Sequence, residues 1–428
     1  MDSQTVRDKH REFLFPCVAN YYEEPVVLVE GKGSFARDAE GREYLDFFGG
    51  ILTLGLGHCH PEVTAAVQSQ VARLVHTSTL YPTREIVRTA ELLADITPGK
   101  LKKSFFTASG TEADETAIVL AKLYTGQQEI IALRHGYSGR SLTALATTGH
   151  APWRLLPSQV VGIKHALSPY CYRCPLGLEY PSCDIRCAQD LEELIRTETN
   201  GKPAAFLAKP IQGVGGFITP PKEYFGIAVA IVRKYGGLFI CDEVQTGFGR
   251  TGDHWCGIEH SGVEPDIMTF AKSIANGFAV GATIARPEIA DAWKGLTIST
   301  FGGSPVAMTA AATTIDVMKR ENTPKRAGER GRQLRAHLDG FKARFPFIGD
   351  VRGMGLMQAL ELVEDRKTKE PSPKKAAALM EAAKRQNLLI GKGGLYGNVL
   401  RIAPSMLVTA AEIDDGARRL EQALAEVK

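Results

Sequence analysis

A tight turn between a predicted strand and a predicted helix carries residues suited to binding an anion. Within residues 104–124, Ser109, Gly110 and Thr111 lie at this turn. Gly110 lets the backbone approach a ligand closely, and the helix that follows offers unpaired N–H groups and the positive end of its dipole. These features favour phosphate. Helix capping is the alternative, because Ser109 and Thr111 each have an acidic residue three positions later.

Two charged residues end apolar runs further along the chain. Lys272 follows DIMTFA and precedes a turn with a glycine, so partial burial would lower its pKa and free its amine as a nucleophile. A lysine extended into solvent is the alternative. Asp242 ends the run GLFIC, where a charge is costly unless it is paired or used. An exposed acid making a turn contact is the alternative there, and Glu243 is expected to be a structural or surface acid on the opposite side of the strand.

Together, a phosphate cradle, a desolvated lysine and a carboxylate at a strand end match the needs of pyridoxal 5′-phosphate (PLP). A lysine binds the aldehyde of PLP as a Schiff base, and a carboxylate keeps the ring nitrogen protonated. The protonated ring then accepts the electrons left when a bond at Cα breaks. Asp242 would be paired with a pyridinium, which explains a charge at that place. The nucleotide-binding pattern G-x4-G-K-[ST] is absent from the sequence.

The elements that must position these residues alternate between strand and helix. Strands are predicted at 104–108, 129–134, 204–208, 237–243 and 266–272, and helices at 111–124 and 222–235. Such alternation predicts an α/β fold with a mostly parallel central sheet covered on both faces. Ligands of these sheets bind beyond the carboxyl ends of the strands, which is where Asp242 lies.

The two ends of the chain have a different character and predict a second, smaller α+β domain. The predicted elements are a hairpin at 33–51 with its turn at AEGR, a charged helix at 324–344, strands within 348–362 and a strand in 398–405. We expect three parts, namely an N-terminal segment (1–60) that joins the small domain, a large domain (61–319) and the small domain proper (320–428).

Composition and charge exclude several classes of function. The chain has 428 residues, 51 basic and 48 acidic, and the net charge of +3 gives no footprint for nucleic acid or an anionic membrane. Hydrophobic residues make up 44% and charged residues 23%, as in soluble globular proteins. The charged N-terminal residues do not look like a signal peptide, and no stretch approaches the roughly 20 apolar residues of a membrane span. We therefore expect a cytoplasmic protein that acts on small molecules.

Half of the eight cysteines form a cluster with the spacing C-x2-C-x8-C-x3-C. The four are Cys171, Cys174, Cys183 and Cys187. This spacing is compatible with a structural zinc, with a redox or disulfide pair, or with four inert thiols. No catalytic metal is expected, because the catalytic parts lie elsewhere. The scattered cysteines, expected to be small buried hydrophobes, are Cys17, Cys59, Cys241 and Cys256.

Seven motifs occur in order along nearly the whole chain. They are DAEGREYLDFFGGILTLGLGHCHP (38–61), SGTEADE (109–115), RHGYSG (134–139), ICDEVQTGFGRTG (240–252), TFAKS (269–273), TFGGSP (300–305) and LRIAPSM (400–406). In these motifs the sequence resembles the class III, or subgroup II, aminotransferases of PLP fold type I. The fourth and fifth motifs are the strongest matches, at the expected separation. In the second, Asp114 stands where the family usually has asparagine.

The resemblance implies a role for each matching residue. Lys272 holds the cofactor and then moves a proton between Cα and C4′, Asp242 pairs with the ring nitrogen, and Arg401 binds the substrate α-carboxylate through two hydrogen bonds. The other implied cofactor contacts are Val244 and Tyr137 on the two ring faces, Gln245 at the ring hydroxyl, and Ser109, Gly110, Thr111 and, across a subunit interface, Thr300 at the phosphate. A shared site implies at least a homodimer, and alternating half-reactions imply ping-pong kinetics.

Lys209 is a departure from the family pattern. Where the family usually reads E-P-[IV]-Q-G, this chain reads KPIQG, and in relatives the glutamate can pair with the active-site arginine. A cation here would face Arg401 and repel it. Three interpretations follow: Lys209 turns outward, it creates a site for a second acidic group or altered substrate, or it is an introduced change that impairs or redirects activity.

The segments AKPIQGVGGF and CYRCPLGLEYPSC most resemble alanine–glyoxylate-type members of the family. The donors compatible with the motifs are alanine, β-alanine, 4-aminobutyrate and other ω-amines, and the acceptors are pyruvate, glyoxylate and 2-oxoglutarate. Two alternatives from other classes stay open. One is a PLP-dependent lyase, such as an amino-alcohol phosphate phospho-lyase, or an epimerase. The other is a non-catalytic protein that kept the fold.

Overall fold

A computed structural model describes residues 1–156 and 160–427. The helices are α1 (Ser3–Phe13), α2 (Gly49–Leu52), α3 (Pro61–Val71), α4 (Arg84–Ile96), α5 (Gly110–Thr125), α6 (Leu142–Thr147), α7 (Arg186–Glu198), α8 (Tyr224–Lys234), α9 (Pro287–Ala290), α10 (Pro305–Arg320), α11 (Thr323–Arg344), α12 (Pro373–Arg385) and α13 (Ala410–Glu426). The strands are β1 (Leu28–Lys32), β2 (Phe35–Asp38), β3 (Glu43–Asp46), β4 (Lys103–Thr107), β5 (Ile130–Leu133), β6 (Ile163–Ala166), β7 (Ala205–Ala208), β8 (Leu238–Asp242), β9 (Ile267–Phe270), β10 (Gly281–Ala285), β11 (Ile348–Met354), β12 (Met357–Leu362), β13 (Leu388–Leu389), β14 (Gly391–Gly393) and β15 (Val399–Ile402).

A seven-stranded sheet forms the centre of the fold, in the order β4-β10-β9-β8-β7-β5-β6. Strands β6, β5, β7, β8 and β9 pair in parallel, and β10 runs antiparallel to both of its neighbours. The predicted mostly parallel sheet is confirmed. Strands β6 and β10 were not predicted from the sequence. Strand β8 is fourth of the seven and is buried along its whole length, so its apolar run serves a strand covered on both faces.

Aromatic side chains anchor helix α8 to the central sheet. The rings of Phe206 and Phe239 lie 6.0 Å apart between centroids on β7 and β8, and Phe225 of α8 lies 5.8 Å from Phe239. All three side chains are buried. Because such rings bury large apolar areas and hold definite relative orientations, this packing fixes the strands whose ends carry the polar residues.

Two four-stranded sheets lie outside the central sheet, in the orders β1-β2-β3-β13 and β11-β12-β15-β14. The predicted hairpin is present as β2 and β3, joined through residues 39–42. Strand β3 also pairs in parallel with β13, where Leu45 lies opposite Leu388. On this basis we propose that residues 61–319 form the large domain, and that the N-terminal segment (1–60) belongs with residues 320–428 to the small domain.

The cysteines are all free thiols. Cys241 and Cys256 are buried as predicted, but Cys17 and Cys59 are exposed, so the expectation of burial is wrong for these two. Cys17 belongs to an exposed connection after α1, and Cys59 to a turn before α3, where few neighbours cover a side chain. Over residues 1–156 and 160–427, no group of three or more metal-ligating side chains has the geometry to hold a metal ion. In the same ranges, no helix is both long and apolar enough to cross a membrane.

Candidate active site

The turn between β4 and α5 is built as a capped helix start. The Ser109 hydroxyl accepts a hydrogen bond from the Glu112 backbone N–H at 3.3 Å and donates one to the Glu112 carboxylate at 2.8 Å. Capping through Ser109 is therefore present, whereas the Thr111 hydroxyl accepts from the Arg140 backbone N–H at 3.3 Å. A Cβ on Gly110 would lie 3.4 Å from the side chains of Ala271 and Val244, so the backbone is closely packed here. The first N–H groups of α5 are left for an anion.

A second loop closes over this helix start. Gly139 has φ +135°, and a Cβ there would lie 1.8 Å from the Thr111 hydroxyl oxygen. Only glycine fits this position without moving the loop. No role was predicted for Gly139 or Ser138, although both lie in the same motif as Tyr137. The glycine in this motif was the available signal, but residue type alone does not show that the position needs a positive φ.

Lys272 starts a short 3₁₀ helix, Lys272–Ala275, directly after β9. Its backbone has φ +51°, which is uncommon for a residue with a side chain and typical of functional sites. Burial lowers the pKa of Lys272 to about 8, and the positive charges of Arg401 and Lys209 act in the same direction, while Asp242 opposes them. A substantial fraction of the amine is therefore neutral near pH 8, as a nucleophile requires.

Asp242 lies at the carboxyl end of β8 with 4% of its surface exposed. Its Oδ1 accepts a hydrogen bond from the Val244 backbone N–H at 3.0 Å, and its Oδ2 lies 2.7 Å from the Lys209 ammonium nitrogen. Lys209 also donates to the Ser138 hydroxyl at 3.1 Å. The alternative of an exposed acid is thus wrong for Asp242.

The outward-turned interpretation of Lys209 is wrong for the same reason. The side chain is 12% exposed and points to Asp242. The predicted repulsion between Lys209 and Arg401 is also corrected, because the Lys209 ammonium forms an ion pair with the Asp242 carboxylate. The pairing outweighs repulsion between cations, since opposite charges at contact distance interact strongly where water is scarce.

Asp114 is a second buried carboxyl group beside Asp242. Its Oδ1 accepts from the Thr269 hydroxyl at 2.7 Å, and its buried Oδ2 has no hydrogen-bond partner in the structure. Burial and the negative charge of Asp242 raise the pKa of Asp114 well above its ordinary value, with Lys209 acting in the opposite direction. Protonation of Asp114 is therefore favoured relative to that of an ordinary aspartate.

Glu243 points to the other side of β8, as predicted, and is fully buried. Its carboxylate accepts the backbone N–H groups of Gly257 at 3.0 Å and Ile258 at 2.8 Å. It also accepts the hydroxyl of Thr246. Glu243 is thus a structural acid that holds the segment 246–258 against the sheet, and the surface alternative is excluded.

Arg401 lies on β15 and is buried beneath aromatic rings. Its guanidinium carbon is 4.8 Å from the centre of the Phe48 ring, and its nitrogens donate to the Lys392 carbonyl at 2.7 and 3.1 Å. A weaker bond of 3.4 Å joins it to the carbonyl of Gly213, a residue that lines the cavity. Among the described residues no carboxylate lies within ion-pair distance of Arg401. The positive charge of Arg401 therefore has no carboxylate partner among the described residues, and its nitrogens donate to the carbonyls of Lys392 and Gly213 and to the Tyr21 hydroxyl at 3.3 Å.

Nine of the predicted site residues line one cavity of about 600 Å³. They are Ser109, Gly110, Thr111, Tyr137, Lys209, Asp242, Val244, Gln245 and Lys272. Arg401 lies behind the wall formed by Gly213, and Thr300 is exposed, outside the residues that line the cavity. The Oε1 atom of Gln245 is buried without a partner. A cavity of this size with an orphaned acceptor, a buried carboxylate and a phosphate-sized cradle fits PLP.

Comparison with known proteins shows where this arrangement belongs. The family described as "Aminotransferase class-III" matches residues 18–424. The chain is a class III aminotransferase. The mitochondrial alanine–glyoxylate aminotransferase 2 homolog 2 of Arabidopsis thaliana is 42% identical over 413 residues, covering 96% of this chain and 85% of the relative. These enzymes depend on PLP, so the chain is a PLP-dependent enzyme that transfers amino groups.

Solved structures of transaminases agree with the fold over nearly the whole chain. A thermostable (S)-enantioselective omega-transaminase from Thermomicrobium roseum has a TM-score of 0.91 and 34% identity, with 100% of this chain and 99% of that chain covered. A PLP-bound amine transaminase from an uncultivated Pseudomonas species has a TM-score of 0.90 and 30% identity, covering 97% and 99%. The predicted class, an α/β fold of PLP fold type I, is confirmed.

Replacing Gly139 by alanine tests the cradle. The added Cβ would clash with the Thr111 hydroxyl, so G139A should weaken PLP binding at least about tenfold, which corresponds to about 1.4 kcal/mol of strain transferred to the loop. Fluorescence titration of the apoprotein with PLP measures this. The matched control is G41A, where φ is +83° and no atom lies within 4 Å of the added Cβ. Equal PLP affinity in the two variants would contradict the cradle.

The pKa of Lys272 predicts how its reactivity depends on pH. The neutral amine is the reactive form, so labelling of residue 272 by an amine reagent should rise with pH and level off above about pH 8, whereas an ordinary lysine with a pKa of 10.5 would still be rising. Brief labelling of the apoprotein at several pH values, followed by peptide mass mapping, measures this. The K272A variant identifies the signal, and a rate that climbs beyond pH 10 would refute the lowered pKa.

Proposed function

We propose that this chain uses Lys272 to hold PLP and to move the proton that amino transfer requires, with Asp242 as the partner of the ring nitrogen. The observation that carries this proposal is the single cavity in which the low-pKa amine of Lys272 and the buried carboxylate of Asp242 meet the helix start of α5. PLP supplies an aldehyde that captures amines and a cationic ring that withdraws electrons. The chain supplies position, a base and the exclusion of water.

The remaining contacts are proposed from the walls of the cavity. Val244 and Tyr137 stand where they can cover the two faces of a ring, and Tyr137 is braced edge-on by Trp153 at 5.8 Å between ring centres. The unpartnered Oε1 of Gln245 is an acceptor for a ring hydroxyl. The phosphate is assigned to the start of α5, that is to Ser109, Gly110 and Thr111, where N–H groups and the helix dipole favour an anion.

We also propose a homodimer in which Thr300 reaches the phosphate of the neighbouring subunit. Thr300 lies outside the cavity of its own subunit, and exposed apolar side chains occur in its neighbourhood. Leu296 and Phe301 are 106% and 68% exposed, and the nearby Leu80 and Tyr81 are 64% and 67% exposed. An apolar surface of this kind favours contact with another protein surface.

The cytoplasm is the location that we propose. Eight free thiols support it, since a reducing compartment keeps cysteines unpaired. The name of the Arabidopsis thaliana relative places that protein in the mitochondrion, which is a second reducing location. Fractionation of the source cells with an antibody against the chain distinguishes the two.

Alanine as donor and glyoxylate as acceptor are the substrates that we propose. The name of the Arabidopsis thaliana relative supports this pair. Arg401 has no carboxylate partner among the described residues, and in this proposal its guanidinium exchanges its bonds to the Lys392 carbonyl for the α-carboxylate of alanine. The omega-transaminase among the solved structures makes ω-amines the second class of donor to test.

A donor and acceptor panel tests the reaction. Addition of alanine to the PLP-loaded protein should convert the cofactor absorption to that of the pyridoxamine form, and glyoxylate should reverse the change. The same panel should include β-alanine, 4-aminobutyrate and phosphoethanolamine, with K272A as the inactive control. Release of ammonia or phosphate without an oxo acid would identify a lyase instead and refute amino transfer.

Replacement of Arg401 tests substrate recognition. R401A should lower kcat/KM for alanine by an amount that corresponds to about 2–4 kcal/mol of transition-state free energy, because the desolvated carboxylate loses its partner. For a simple amine without a carboxylate, kcat/KM should fall far less. R401K keeps the charge but not the planar pair of donors, so its kcat/KM for alanine should lie between those of R401A and the parent. Steady-state kinetics with both donors give the comparison. Equal losses for both donors would be inconsistent with the assigned role.

A further inference from the structure

Three charged side chains meet at the carboxyl ends of the central strands and beside the helix that caps the cavity. Lys209 follows β7, Asp242 ends β8, and Asp114 belongs to α5. Their surfaces are almost entirely covered, with Asp242 4% and Asp114 1% exposed. Lys209 lies 2.7 Å from Asp242, and the second carboxyl oxygen of Asp114 is buried without a partner. Buried charge is stable only when it is balanced, so the sum over this cluster matters.

The charges do not balance in the absence of a ligand. Among these three side chains, one ammonium faces two carboxyl groups, and a proton on Asp114 removes the excess negative charge. The Lys272 amine also interacts with both acids, but its lowered pKa leaves it partly neutral. The proposed function adds a cationic ring nitrogen against Asp242. Two cations then face two carboxyl groups, and the cluster is neutral when Asp114 is ionised. Asp114 is thus the member of the cluster whose charge can change.

We propose that Lys209 and Asp114 are positioning residues that form a matched pair around Asp242. Lys209 keeps the Asp242 carboxylate ionised and aimed into the cavity, and Asp114 supplies the negative charge that allows Lys209 and a cationic ring nitrogen to occupy one site. This inference depends on the proposed role of Asp242. It explains how a lysine can stand beside the acid on which the cofactor depends.

The remaining charged or titratable groups around the cluster do not replace this pair. Arg401 and Lys272 are cations, and the thiol of Cys241 adds only a small influence on Lys209. Thr269 and Ser138 contribute neutral hydroxyl contacts. Asp114 is therefore the second acid that can offset the charge of Lys209. The Lys209 ammonium also repels a proton from Lys272, which favours the reactive amine.

A double-mutant cycle tests the pair with two readouts, the PLP dissociation constant and the thermal unfolding midpoint of the apoprotein. D114N leaves one positive charge in excess when the ring is bound, so PLP affinity should fall at least about tenfold. K209M removes the ammonium at ion-pair distance from Asp242, so the apoprotein should unfold at a lower temperature, and more so as the pH rises. Because the pKa of Asp114 is raised in the folded protein, the stability of its protonated form is lost as this acid ionises. The double variant D114N/K209M should regain both properties.

The matched control is an exposed pair of the same two residue types. Lys103 and Asp291 form an ion pair at the edge of the central sheet with both side chains about half exposed. K103M, D291N and their combination should leave PLP affinity within about twofold of the parent and show little coupling, since exposed pairs contribute about 0–1 kcal/mol. Coupling at Lys209 and Asp114 but not at this pair is the expected result.

Additive effects of D114N and K209M, or unchanged PLP affinity in D114N, would overturn the inference while the parent still captures PLP. Failure of the proposed function is distinguishable, because the parent itself would then not bind PLP through Lys272. If K209M alone does not fold, a folded double variant supports the pair, and a double variant that also fails to fold contradicts it.

Discussion

A carboxylate buried inside the protein and paired with an ammonium is the constraint on which the rest of the site depends. Asp242 ends a fully buried strand, where a lone charge would be costly. The backbone N–H of Val244 and the ammonium of Lys209 stabilise the charge from two directions. A carboxylate placed in this way can partner a cation in a dry cavity, and an electrostatic interaction gains strength when water is excluded.

The topology brings the interacting residues together from distant parts of the chain. Strands β7, β8 and β9 are parallel neighbours, with Ala208 opposite Cys241 and Asp242 opposite Thr269. Lys209 and Lys272 each follow such a strand within one or two residues, so both emerge at the same edge of the sheet as Asp242. Open parallel sheets bind ligands beyond this edge, because the turns that follow the strands are free to carry polar residues. The amine and the acid that the chemistry needs therefore meet by strand order.

The sequence predicted those parts whose signal is local. Asp242 and Lys272 stood out because each is a charge at the end of an apolar run, and the five predicted strands are present. Strand β10 was missed since its short run GATIA lies between turns and reads as an ordinary apolar segment. The family resemblance supplied Arg401, whose burial under Phe48 no local pattern indicates.

The partner of Lys209 could not be read from the sequence, and this limit is physical. A cation 33 positions before Asp242 reveals nothing about pairing until strand order places the two side by side. The same holds for Asp114, whose substitution for the usual asparagine was visible but whose electrostatic interaction with Lys209 and Asp242 was not. Interactions between residues far apart in sequence depend on strand order and register, which local sequence patterns do not reveal.

Borohydride reduction of the PLP-loaded protein, followed by peptide mass mapping, tests the central claim most directly. The reagent fixes the cofactor onto whichever amine carries it. We expect a single modified peptide with the cofactor mass on Lys272. Two lysines line the cavity, so modification of Lys209 instead, or of both, would contradict the assignment of the amine and the acid on which the site is built.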